Sequence, residues 1–124
     1  MDSRYEKQTI TMTVAKDASV SNAVDIRNLT PTGLITPSSL EATTALAVWS
    51  VSMDGTTFYP LHNATGAVSS PVTTAAAWAV AMDPWVNFPG WRYLKFTLTA
   101  ADGTTAVVQA TAARTFSLVV CPVL

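Results

Sequence analysis

Apolar and polar residues alternate along much of the chain with a period of two, the spacing that places successive side chains on opposite faces of a strand. In Thr9–Val14, Ile10, Met12 and Val14 point one way and the intervening threonines the other. Ala45–Met53 sets Trp49, Val51 and Met53 on one face, against Ser50 and Ser52. Asp54-Gly55 then supplies the left-handed backbone that a hairpin turn requires, and Thr57–Leu61 returns as the second strand. The same period recurs in Arg92–Leu98, with Leu94, Phe96 and Leu98 inward, and in Arg114–Val120, with Phe116, Leu118 and Val120 inward.

Between these segments the pattern is weaker. Asn63–Gly66 reads as a turn leading into a strand over Ala67–Thr73. Ala75–Met82 suits a helix by alanine propensity and a strand by the alternation of Trp78, Val80 and Met82; the alternation and the Asp83-Pro84 stop assign it to strand. Pro84–Gly90 is an aromatic-rich connection, Asp102-Gly103 a turn, and Ala106–Ala113 a loop or weak strand. Pro31, Pro37 and Pro71 fall where turns or strand edges tolerate a missing donor. The sum is an all-β chain, an antiparallel β-sandwich or jelly roll of about seven to nine short strands. Residues 9–124 form a single domain behind an N-terminal arm, residues 1–8.

Composition changes the picture in one respect. Only 12 % of the 124 residues are charged, against an ordinary quarter, while 49 % are hydrophobic, much of that alanine. A surface of Thr, Ser and Ala with a net charge of -1 has little to hold other proteins off. That describes a subunit that expects neighbours, or a monomer whose small residues simply suit β-structure. Seven scattered basic residues leave no stripe for nucleic acid. No apolar run is long enough to span a bilayer, and the first residues lack an apolar signal core, so synthesis in the cytoplasm is expected. Cys121, the single cysteine, excludes a disulfide within the chain, and its apolar setting marks it as a small buried hydrophobe.

The segment Ser52-Met53-Asp54-Gly55-Thr56-Thr57-Phe58 and the strand Trp91-Arg92-Tyr93-Leu94-Lys95-Phe96 resemble the hairpin and the following strand of discoidin-like jelly rolls. In those domains the aromatic residue after the Asp-Gly turn packs in the core, and Phe58 takes that place here by the resemblance. The order of Pro37, Ser52–Leu61, Ala81–Pro84, Phe88–Tyr93 and Ala112–Thr115 also resembles that of small virion proteins of tailed bacteriophages. The likeness covers roughly residues 30–120 and consists of structural punctuation. It implies a capsid decoration (cement) or head-associated subunit on the virion surface. Its partners would be the major capsid protein and copies of itself, with a trimer at three-fold positions expected. None of the loop residues with which discoidin-like domains bind sugar or lipid maps onto this chain.

Catalytic chemistry has little to stand on. His62 is the single histidine and sits beside a turn, while Asp54, Asp83 and Asp102 each adjoin Gly or Pro, where Asp serves a turn through its own backbone. No nucleophile elbow, phosphate cradle or metal-ligand spacing occurs, so no enzyme, cofactor or metal is expected. The aromatic residues remain. Trp85, Phe88, Trp91 and Tyr93 fall close together, as an end-cap of the core, as anchors of a protein interface, or as rings that stack on sugar. The arm carries Arg4 and Tyr5, and is expected to lie on a neighbouring subunit. A structural virion subunit is the leading expectation; a carbohydrate- or receptor-binding module of a head fibre or tail is the alternative.

Overall fold

The structure, a computed structural model, describes residues 8–62, 64, 66, 72–82 and 91–122. Among them run nine strands: β1 (Gln8–Val14), β2 (Val24–Asp25), β3 (Leu29–Ile35), β4 (Ala45–Ser52), β5 (Tyr59–Pro60), β6 (Val72–Thr74), β7 (Ala79–Ala81), β8 (Tyr93–Thr99) and β9 (Arg114–Pro122). They form two antiparallel sheets, β1-β9-β3-β7 and β2-β8-β4-β5, with β6 also on β4. The pairs β4·β5, β3·β7, β2·β8 and β1·β9 nest one inside the next, as in a long folded hairpin. Successive pairs fall in opposite sheets, so the hairpin is rolled up. This is the jelly-roll arrangement of a β-sandwich.

The inward faces make one core, and the predicted alternation built it. Met12 and Val14 of β1, Leu34 of β3 and Phe116, Leu118 and Val120 of β9 meet Trp49 of β4 and Leu94, Phe96 and Leu98 of β8. Phe96 sits edge-on to both Trp49 (ring centroids 5.5 Å apart) and Phe116 (5.0 Å), so one aromatic chain bridges the sheets. Burying side chains of this size stabilises by about 1.5–3 kcal/mol each.

Several local expectations are corrected. Phe58 is not a core aromatic: it lies half-buried outside the sheet, with Lys95 Nζ 4.3 Å from its ring centroid, and Trp49 fills the interior instead. Met53 leaves the inward face of β4 and is 59 % exposed, because the strand ends at Ser52. Ala75–Met82 is strand only over Ala79–Ala81. Before it the chain turns at Ala77, in the left-handed region (φ 58), held by Thr36. The Thr36 hydroxyl donates to the Ala75 carbonyl (2.6 Å) and accepts from the Trp78 amide (2.7 Å). The turn carries the chain from β6 in one sheet to β7 in the other. Strands β2 and β3 were not anticipated. Pro31 and Gly33 make Leu29–Ile35 look like a loop, but Pro31 lies where β7 does not reach β3, beside a bulge at Thr32.

Loops at one end are tied by a polar side chain with no sequence signature. Gln109 is buried; its Oε1 accepts from the Glu41 amide (3.1 Å), and its backbone bonds to Asp17 and Ala18. Glu41 in turn accepts from the Thr111 amide (2.7 Å) and lies 3.7 Å from Arg114. Those contacts, Thr111 foremost, hold the Glu41 carboxyl below its ordinary range.

Candidate functional site

The outward faces of the two sheets differ in kind. Across the four-stranded sheet the register lines up Thr9, Val119, Gly33 and Ala81 in one rung. A second rung runs Thr11, Ser117, Ile35 and Ala79, and Thr13 faces Thr115 in a third. No residue of these rungs is charged. Small residues dominate, so the face is flat, with a shallow groove of about 290 Å³ between Val119, Gly33, Ile35, Ala79 and Ala81. Ile35 stands 44 % exposed beside it. Glycine at position 33 eases the approach of β7 to β3, since a Cβ there would lie a tight 3.1 Å from the Val80 carbonyl.

The five-stranded sheet presents longer and charged side chains: Asp25 opposite Tyr93, Lys95 opposite Ser50, and Thr97 opposite Val48. At its Tyr93 end lies a cleft of about 330 Å³ lined by Ile26, Arg27, Asn28, Leu29, Met53, Trp91 and Arg92. A second depression of about 290 Å³ adjoins it, lined by Met53, Trp91, Asp54, Thr57 and Tyr59. Tyr59 is 66 % exposed. Two turns shape the cleft. At Asp25–Asn28, Asp25 Oδ1 accepts from the Arg27 amide (2.9 Å) and Asn28 takes a left-handed φ of 63. At Ser52–Thr57, Asp54 Oδ1 accepts from the amides of Thr56 (2.8 Å) and Thr57 (2.9 Å), and the buried Ser52 hydroxyl donates to it (2.9 Å).

Those bonds pull the Asp54 pKa down to about 2, the Thr57 and Thr56 amides contributing most. Asp102 does the same after β8: the Thr105 hydroxyl and the amides of Thr104 and Thr105 lower its pKa to about 2. These carboxylates hold turns through neighbouring amides and hydroxyls, Asp54 at the rim of the second depression. Gly55 takes φ 80 against the Tyr93 ring, where a Cβ would lie 3.3 Å from two ring carbons. The turn does not close as a two-residue hairpin, since Val51 pairs with Tyr59 across residues 52–58.

Of the residues expected to form an interaction surface, Trp91 and Tyr93 are described, while Arg4, Tyr5, Trp85 and Phe88 lie outside the described residues. Trp91 is half-buried, packs against the core and lines both depressions. Tyr93 lies on the outer face under the Arg92 guanidinium, 5.1 Å from its ring centroid. The two are not one aromatic patch: Trp91 faces the cleft and Tyr93 covers the turn at Gly55. Sequence reading missed Arg27 and Asn28, which a single turn brings to the cleft, and Tyr59, which β5 brings to the adjoining depression. It also missed the rungs, because a charge-free face exists only once strands distant in sequence are aligned. His62 is exposed at the surface, its Nδ1 3.0 Å from the Pro60 carbonyl. Among the described residues no three His, Cys, Asp or Glu side chains converge.

No protein-family model, curated protein or solved structure matches the chain.

Proposed function

We propose that this protein is a non-enzymatic structural subunit of a phage-like virion, a capsid decoration (cement) protein that binds neighbouring capsid proteins and its own copies. The observation that carries the reading is the uncharged outer face of the four-stranded sheet, an area of small side chains with a shallow apolar groove. Such a face loses little side-chain entropy and desolvates no charge when a second surface covers it. The jelly roll adds fold-level support, being an architecture common among capsid and lectin domains. The mechanism is mass action. Each copy adds a modest contact to the assembled shell, and symmetry multiplies it, raising the free energy needed to expand or rupture the shell.

Imaging intact particles that carry the protein tests this. Many copies in a symmetric array, with the Thr9–Ala81 rung against the shell, is the expected result. A few copies at a tail tip with that face open would overturn it. Substituting Thr115→Lys and Ser117→Lys together should lower occupancy on particles while the isolated domain still folds.

One observation favours a second reading, a glycan-binding module. The cleft is lined by Trp91, Arg27, Arg92 and Asn28, an aromatic residue beside polar and cationic ones, at a volume suited to a small ligand. Glycan-array binding that is lost in Arg27→Ala, with particle occupancy unchanged, would select this reading over the first.

A further inference from the structure

The edge of the four-stranded sheet at β1 is unlike the other edges. Strands β2 and β5 are two residues long and β6 and β7 three, with Asp25 on β2 and Pro60 on β5. Shortness, charge and proline are the usual ways in which an edge is blunted. Strand β1 has seven residues, no charge, no proline and an unbroken register with β9.

One contact shows which backbone groups this edge offers. The Asn22 amide donates to the Thr13 carbonyl at 3.1 Å, and the Thr13 amide donates to Asn22 Oδ1 at 2.6 Å. The backbone of Thr13 therefore points away from β9. In an antiparallel pair the N–H and C=O of one residue point to the same side, and the sides alternate. Thr9 and Thr11 thus face outward, while Ile10 and Met12 bond β9. Asn22 closes the edge at Thr13; among the described residues nothing pairs with the backbones of Thr9 and Thr11.

We propose that β1 pairs antiparallel with β1 of a second copy about a two-fold axis, joining two four-stranded sheets into one continuous sheet. The edge itself specifies that occupant. Setting Thr9 opposite the second copy's Thr11 puts Ile10 against Ile10 at the axis. Both threonines of each copy then donate and accept, and the Thr13–Asn22 bonds stay intact. A register centred on Thr11 needs the Thr13 backbone, which Asn22 already holds. The strand carries no charge to repel its own image, and a net charge of -1 per chain adds little. The pairing also extends the uncharged rungs across the axis, doubling the face described above.

The test is the oligomeric state of the full chain by sedimentation velocity, and it is independent of binding to any particle. A dimer is expected at micromolar to tens of micromolar concentration. Thr11→Pro removes only an outward donor, so β9 pairing survives while the dimer dissociation constant rises at least about tenfold. Thr11→Lys, which keeps the backbone donor, should weaken the dimer in the same direction by placing like charges across the axis. Thr115→Lys, on the same face but on β9, should leave it intact. Oxidised Ile10→Cys in a Cys121→Ser background should give a disulfide-linked dimer, since the residues of a non-hydrogen-bonded pair lie about 4.5 Å apart. A monomer up to about 100 µM overturns the proposal, as does a trimer, or a dimer lost in Thr115→Lys but kept in Thr11→Pro.

Discussion

The two sheets are built on the same two-residue alternation, yet their outer faces present opposite surfaces. On the four-stranded sheet the rungs from Thr9 to Ala81 and from Thr11 to Ala79 hold no charge and no aromatic ring. On the five-stranded sheet Lys95 covers Phe58, Arg92 covers Tyr93, and Asp25 pairs with Arg27 at 3.4 Å. Charged residues are scarce in this chain, and most of the strand-borne ones sit on a single sheet. One side therefore carries charges that resist desolvation, and the other can be covered at little desolvation cost. Inward periodicity is the same on both sheets, so the core does not account for this asymmetry; the solvent-facing positions do.

The largest perturbation should abolish the comparison altogether. Phe96→Ala removes the ring that touches both Trp49 and Phe116, and with it the aromatic bridge between the sheets. A loss of about 3–5 kcal/mol in urea unfolding is expected. Next, Gly33→Val forces a side chain against the Val80 carbonyl and fills the groove. It should cost about 1–3 kcal/mol, with loosened amide exchange in β7 and not in β8. Lys95→Ala tests the charged side: losing the cation over Phe58 should cost about 0.5–1 kcal/mol by thermal unfolding.

Acid should separate the two sides as well. The carboxyls of Asp54 and Asp102 titrate near 2 in the folded chain, below their ordinary value of 3.8. A lowered folded pKa contributes stability that is fully present above about pH 4 and is lost as pH falls through about 2. Amide protection at Thr56, Thr57, Thr104 and Thr105 should therefore fall in that window before protection in β1 and β9. Equal loss in both sheets would break the distinction. The smallest effect on stability belongs to Thr115→Lys, within about 0.5 kcal/mol, as expected for an exposed strand position. Paired with Ser117→Lys, its consequence should appear in attachment, while Thr97→Lys on the other sheet should leave attachment unchanged.

Strand existence was legible wherever one face is buried, as in β1, β4, β8 and β9, because period-two burial writes itself into the order of residues. Strand β3 was not, since Pro31 and Gly33 carry local turn signals that only its neighbours override: β9 alone beside Pro31, and β7 close against Gly33. Phe58 was misassigned for a similar reason. A half-buried aromatic beside a turn looks the same in sequence whether it enters the core or covers the outside, and only the length of the loop over residues 52–58 decides. Gln109, buried between two loops, left no signal at all.

Residue order alone specified an antiparallel sandwich with Met12, Trp49, Phe96, Phe116 and Leu118 facing inward, because alternation is a local property enforced by the pleat. Turn chemistry at Asp54 and Asp102 was equally local, each carboxylate serving amides two and three residues away. Which outward positions stand side by side was settled by the pairing of the strands. Thr9, Val119, Gly33 and Ala81 come from four distant segments, and the charge-free rung they share exists through register alone. The open backbone of Thr9 and Thr11 belongs to the same class, set by which strand ends the sheet and by where Asn22 closes it.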